Sequence, residues 1–496
     1  MVERLVANEK VEGSTPFARS IIFSTIMSKI NELNIKELFN LAISNQKKND
    51  LENAKNIYKQ ILIIHPKFIE VYKNLGLIYQ KQDKIEKAKK CYEKAIQFNP
   101  NLTIVQYNLA LIYEQLGEDN KAITCYEKVI ENNPNVEDAH NNLGLLFQKL
   151  GKKKESKNCY EKAIKINPSY ANAYNNLGTL NADLGKYNEA IDYYSLALKY
   201  NNNVKSAKEN IISALTFCKS NNDNSIVVAN NSLKNIHQDL SLDEYLKNKN
   251  LVNLFKKSNK IIDGIKTYIN EINYIETQTY RRNSQNLDCE RHHEVFNQSN
   301  IIPKFCFSCF KIQIEPQNVS ELIKLLFIFD SIKFPNNNWR KCMVELRSEV
   351  SGTYKGFIYC SSMDEVTEIL NIIDPILKKF LKYKVSVKRG CSEFYELFSN
   401  FKETDRKSNN FMNYDDRWEK IESKVDIKKG SIQKKLIETI PGFSISDFLI
   451  INHWLNYAKL INDLSYKDIS LDFLYSEHIS QKISNQIEFR KKEFMC

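Results

Sequence analysis

Between residues 33 and 220, apolar side chains recur three and four positions apart, the spacing that puts them on one face of a helix. The whole pattern then repeats every 34 residues. Leu75, Leu109, Leu143 and Leu177 form one apolar column, and Tyr92, Tyr126, Tyr160 and Tyr194 form another. Small residues hold two more: Gly76, Ala110, Gly144 and Gly178 in one, Ala54, Ala88, Ala122, Ser156 and Ala190 in the other. Pro66, Pro100, Pro134 and Pro168 punctuate the same step, with Asn202 in the next slot. Each unit predicts two helices that approach closely where the small residues lie. Five units fit, and Lys205–Cys218 predicts a closing helix. One such pair cannot bury its own apolar face, so the units must stack.

The second half carries a different rhythm. A polar run, Ser220–Ser225, reads as a loop, and helical spacing returns from Leu242 to Glu276. From residue 304 the period becomes two. Phe305–Ile314, Arg340–Arg347, Lys355–Cys360 and Lys384–Cys391 predict strands. Val319–Ile332 and Met363–Phe380 predict helices between them, the latter kinked at Pro375. The order βαββαβ is that of a ferredoxin-like sandwich. Beyond it the tail is mostly helical, most strongly over Ser444–Leu464.

A period of 34 with these columns resembles the tetratricopeptide repeat. The resemblance implies an α-α superhelix over 33–220. Residues 221–285 then form a linker with helices, 286–400 the α+β domain, and 401–496 the helical tail; the chain is mainly α. One polar column keeps the same register: Asn40, Asn74, Asn108, Asn142 and Asn176, widened by Asn141 and Asn175. In the tetratricopeptide family this column faces the concave groove, and it is similar to the asparagine ladder of O-linked N-acetylglucosamine transferase. A carboxamide has two donor hydrogens and an acceptor oxygen, so it can pair with a peptide group in either sense. The implied function is a scaffold or adaptor that holds an extended segment of another protein. Nothing in the second half resembles that enzyme's catalytic domain, so its activity is not implied.

Composition narrows the picture a little. A net charge of +11 comes from 71 basic and 60 acidic residues that are well mixed, which gives no specific argument for nucleic acid. No run of about 18 apolar residues is present, so no membrane-spanning helix is expected. Three of the 11 cysteines, Cys91, Cys125 and Cys159, share a repeat column. They read as reduced thiols, which with the lack of a secretory signal suggests a cytoplasmic protein. Richness in Asn, Lys and Ile suggests an AT-rich, bacterial genome. Residues 1–32 predict no fold. Gly13-Ser14-Thr15-Pro16 can be spelled by the conserved loop of a transfer RNA gene, which points to Met27 as the true start. Oligomeric state is left open by the sequence.

Candidate chemistry gathers in the second half. Cys289, His292, Cys306 and Cys309 have the paired spacing of a structural zinc site, although Cys306 and Cys309 fall in a run predicted to be strand. No other cofactor is expected. A thiol paired with His292 or His293 would make a nucleophile, the enzyme alternative, acting on proteins that the repeats deliver. Lys355-Gly356-Phe357-Ile358-Tyr359 resembles the aromatic submotif of RNA-recognition domains. Sandwich core is the competing reading of Phe357 and Tyr359. Arg281–Arg282, Lys388–Arg389 and Arg490-Lys491-Lys492 read as solvated basic clusters.

Overall fold

The computed structural model describes residues 35–236, 241–270, 274–281, 283, 287, 289–347, 350–429, 438–470, 474, 479–481, 487–491 and 494. The expectations for residues 1–32, including a start at Met27, lie outside them, as do Arg282 and Lys492. The chain divides into two compact units, Met1–Pro168 and Ser169–Cys496.

The first unit is a run of helices: α1 over 35–47, α2 Leu51–Ile64, α3 Ile69–Lys81, α4 Ile85–Phe98, α5 Thr103–Gln115, α6 Asp119–Asn132, α7 Glu137–Lys149 and α8 Lys153–Ile166. The tyrosine column is its spine. Tyr58, Tyr92, Tyr126 and Tyr160 are fully buried, and each such side chain contributes roughly 1.5–3 kcal/mol by burial. A small residue faces each ring. At Gly144 an added Cβ would press into the Tyr160 ring, so the glycine sets how closely α7 and α8 approach. The turns between paired helices repeat a second device. Asn49, Asp83, Gly117 and Gly151 all have positive φ, between 54° and 74°, at the 34-residue step. Gly, Asn and Asp are the residues that enter the left-handed region most readily, so this column fixes where each first helix stops.

The second unit begins with the fifth helical pair, α9 Ala171–Asp183 and α10 Tyr187–Tyr200, then α11 Lys205–Ala214, α12 Ser225–Asn235 and α13 Asn248–Asp263. Sequence periodicity groups α9–α11 with the array, yet Tyr194, Ala197 and Ile211 belong to one core with Phe310, Ile358 and Trp454. The reason is a long-range partner that periodicity does not register. The closing helix α11 packs near α17, Ile445–Leu460, whose residues from Ile445 to Ala458 are all buried. A helix buried on every side is a core element rather than a surface one. Its N-terminus is closed by a capping box, Ser444 with Asp447.

The sheet has five antiparallel strands: β1 Gln278–Arg281, β2 Phe310–Pro316, β3 Arg340–Val344, β4 Tyr354–Cys360 and β5 Tyr383–Arg389, in the order β1-β3-β4-β2-β5. With α14 Cys289–Ser299, α15 Val319–Ser331 and α16 Met363–Phe380 numbered in turn, the segment from β2 to β5 is the expected βαββαβ sandwich, extended by β1 at one edge. Registers such as Ile312 opposite Ile358 and Val387 put Phe310, Ile312, Ile314 and Ile358 in the core with Ile323, Leu326 and Ile373 of α15 and α16. The first strand starts later than its alternation suggests. Lys304–Ser308 is a 3-10 turn after Pro303, and the strand begins at Phe310. The turn sends Cys306 and Phe307 into a separate cluster with Phe296, Phe394 and Phe401, and that packing outweighs β propensity.

Candidate functional site

In the first unit the asparagine column is wired to the tyrosine column. Asn74 Nδ2 donates to Tyr58 Oη at 3.0 Å, and Tyr58 Oη donates in turn to Gln46 Oε1 at 2.9 Å. Tyr92 donates to Gln80 at 3.1 Å and receives a hydrogen bond from Asn108. Asn142 Nδ2 reaches Tyr126 Oη at 3.3 Å and Tyr107 Oη at 3.0 Å, and its oxygen accepts from Asn141 Nδ2 at 3.2 Å. Tyr160 continues the series with Gln148 at 2.8 Å. Each amide here is half-buried, except buried Asn141 and exposed Asn40. The hydroxyl fixes the plane of the carboxamide. At Asn74 the amide oxygen makes no hydrogen bond among the described residues. One link differs: Glu114 stands where the neighbouring units have Gln46, Gln80 and Gln148. Burial raises its carboxyl above the usual range, against a hydrogen bond from Tyr126.

The second unit carries the rest of the column. Asn175 and Asn176 lie half-buried on α9. Asn210 of α11 donates to Asn175 Oδ1 at 3.3 Å. Asn210 was missed by sequence reasoning, yet it lies one 34-residue step beyond Asn176.

The four residues with zinc-like spacing do not assemble. Cys306 lies within the 3-10 turn and Cys309 directly after it, both buried, and His292 stacks on Phe305 with ring centroids 5.1 Å apart. Among the described residues, the ligand-type atoms that lie within 4.8 Å of one another belong instead to His293, Cys391 and Glu393.

Phe357 and Tyr359 lie on the sheet face opposite α15, since the alternating residues Gly356 and Ile358 face inward, Gly356 against Leu325 and Phe329 and Ile358 in the core. They are therefore not sandwich core. Lys341 Nζ sits 5.3 Å from the Phe357 ring centroid and Lys311 Nζ 5.4 Å from that of Tyr359. These ammonium groups occupy ring faces that a stacked base would need. One arginine of each basic cluster is not solvated either. Arg281, Arg389 and Arg490 are all buried: Arg281 between Asp330 and Asp447, Arg389 over Phe307, Phe401 and Phe411, Arg490 on the carbonyls of Arg347 and Val350.

Stacked 34-residue helical pairs with a row of oriented carboxamides define a helical-repeat scaffold for protein interaction. Tetratricopeptide-repeat models match residues 38–67, 69–102, 137–170 and 159–192, and a TPR-repeat model matches 112–151. The chain carries tetratricopeptide repeats within residues 38–192. Similar solved structures include that of MamA protein, 24% identical, covering 34% of this chain and 92% of that one, with a TM-score of 0.33. YrrB, titled a TPR protein with an unusual peptide-binding site, is 21% identical, covers 35% and 89%, and has a TM-score of 0.33. PilF of Pseudomonas aeruginosa is 18% identical, covers 37% and 84%, and has the same score of 0.33. No curated protein matches the chain. Among the described residues no helix is long and apolar enough to cross a membrane.

Proposed function

We propose that the repeats hold an extended segment of a partner protein along the asparagine column, with Asn74, Asn108 and Asn142 pairing to its peptide groups and Asn40 and Asn141 extending the polar strip, while Asn175 and Asn176 offer the same amides on the second unit. The observation that carries this is the repeated hydrogen bond from asparagine to a buried tyrosine hydroxyl. It orients each carboxamide in advance, which lowers the entropy lost when a flexible guest chain binds. Free, buried thiols such as Cys125, Cys159 and Cys218 fit a reducing, cytoplasmic setting for this adaptor.

The test is partner capture by the full chain with Asn108→Ala and Asn142→Ala together. Loss of the two amides removes at least two hydrogen bonds to the guest chain and is expected to weaken binding at least about tenfold, from roughly 1 kcal/mol per hydrogen bond. Tyr92→Phe with Tyr126→Phe keeps the amides but removes one orienting hydrogen bond from each, and a smaller loss is expected. Undiminished capture by the double asparagine variant, with helicity intact, would refute the reading.

A further inference from the structure

A second cluster of reactive side chains lies in the α+β portion, independent of the repeats. Cys391 follows β5. Lys311 of β2 donates from Nζ to its sulfur at 3.2 Å, and His293 of α14 hydrogen-bonds the same atom. Glu393 completes the group within 4.8 Å and is held by Arg347 at 3.0 Å. Lys311 makes no ion pair with a carboxylate among the described residues. Among the described residues its ammonium contacts the Cys391 sulfur and the Tyr359 ring. A largely desolvated cation calls for a counter-charge, and the sulfur is the group placed to supply it.

We propose that Cys391 is a nucleophilic thiolate that reacts with small hydroperoxides, with His293 as proton donor to the leaving oxygen and Lys311 as the positioning residue that holds the sulfur's charge. The thiolate attacks the terminal oxygen of the hydroperoxide. The S–O bond forms as the O–O bond breaks, two electrons leave sulfur, and Cys391 becomes a sulfenic acid. The departing alkoxide or hydroxide takes the imidazolium proton of His293 and leaves as an alcohol or water. Two facts point to this substrate class. Cys391 is half-buried, which suits a small molecule better than a polymer. The departing oxygen needs a proton, and the His293 imidazole hydrogen-bonded to the sulfur is placed to give it.

The other thiols behave differently. Burial pushes Cys309 and Cys360 up to about 12, and Cys91, Cys125, Cys159 and Cys218 up to about 11. Burial also works upward on Cys391, but the His293 hydrogen bond and the Lys311 charge outweigh it and lower its thiol below the ordinary value. His293 is raised by its hydrogen bond to Cys391, against burial. The other titratable groups that face this site include Cys306, Cys309, Lys341, Tyr359, Lys388 and Tyr395, besides Glu393. Lys341 is lowered to about 8 by burial and by Lys311. A divalent cation on His293, Cys391 and Glu393 would meet the Lys311 ammonium on the shared sulfur, so the charges favour a thiolate over a metal.

The experiment uses the reduced full-length protein. Iodoacetamide labelling at pH 6.5, read cysteine by cysteine in a mass spectrometer, should modify Cys391 at least about tenfold faster than the half-buried Cys289. Hydrogen peroxide followed by dimedone should tag Cys391 first. His293→Gln and Lys311→Met should each move the pH profile of labelling upward by about one unit. Lys311→Met keeps the aliphatic stem over Tyr359, so it preserves the fold if His293→Gln does not. Equal rates at Cys391 and Cys289 would overturn the proposal. So would a pH profile unmoved in Lys311→Met, or one equivalent of zinc retained by the wild type and lost in Cys391→Ser.

Discussion

The first unit and the α+β portion of the second solve the same problem, polar groups inside a fold, in opposite ways. In the repeats the contacts of the buried tyrosine column are short in sequence and recur. Tyr58 to Gln46 spans 12 residues and Asn74 to Tyr58 spans 16, and both spacings return 34 residues later. In the second unit the contacts are unique and distant. Arg281 and Thr279 meet Asp447 across 166 and 168 residues, and Tyr354 meets Asp463 across 109, at 2.6 Å. The difference predicts where each region breaks. A repeat tolerates a local fault because its neighbours carry the same contact. The unique network has no second copy.

The largest effect should therefore come from Asp447→Ala. This carboxylate is fully buried and accepts from Thr279 at 2.6 Å and from two nitrogens of Arg281 at 3.1 Å. Removing it leaves a buried guanidinium with Asp330 alone, at a cost of about 3–5 kcal/mol. Burial works to raise the Asp447 carboxyl, but Arg281 outweighs it and holds it below the usual range. A depressed folded pKa gives stability that is present above the unfolded value of about 3.9 and lost as pH falls through the folded one. The variant should thus lack that part of the acid-induced loss. Trp339, Trp418 and Trp454 are the chain's tryptophans, so their fluorescence follows this unit alone. An unfolding midpoint shifted by less than about 1 kcal/mol would mean the network is not what holds α17 against β1.

A middle-sized effect is expected in the repeats from Gly144→Val. Its side chain would meet the Tyr160 ring, forcing α7 and α8 apart at a cost of about 1–3 kcal/mol. Gly151→Ala, at φ 74°, should cost about 1 kcal/mol through backbone strain alone. Circular dichroism melts would rank the two. Equal melts would show that the turn, rather than the close approach to tyrosine, limits the repeat.

This contrast also explains what the sequence discloses. Periodicity reveals any contact that repeats, so the tyrosine, glycine, proline and asparagine columns are all legible, and Asn210 would have been found by adding one more step. Local pattern likewise discloses β2 to β5 and α15, α16 and α17, whose alternation and caps are written in neighbouring residues. What it hides is pairing across long separations. Arg281, Arg389 and Arg490 look like surface charge because their partners lie on other elements. Cys306 and Cys309 look like ligands because spacing says nothing of the buried cluster that takes Cys306. Cys391 comes beside His293 only when β5 is laid against β2, with Lys311 opposite Lys388 in the register. The edge strand β1 is missed for the same reason, since its four residues carry too little alternation to stand without β3.

The smallest effect tests the repeats' own logic most closely. If the glutamine–tyrosine–asparagine chain is a repeated part, then the copy that departs from it should be the weak one. Glu114 departs: it faces Tyr126 with a carboxylate where three other copies offer an amide, and its Oε1 is buried without a hydrogen bond. Glu114→Gln should stabilise the first unit by about 1 kcal/mol at neutral pH, since the amide keeps the hydrogen bond from Tyr126 without a buried charge. The pH dependence carries the sign. A carboxyl whose folded pKa is raised contributes stability that is fully present below the unfolded value of about 4.3 and lost as pH rises through the folded one. Wild type and variant should therefore melt together near pH 4 and separate toward neutrality, with the variant above. A variant that melts lower at pH 7 would show that the charge is wanted there, and since Asn142 shares Tyr126 with Glu114, partner binding would be the place to look for its use.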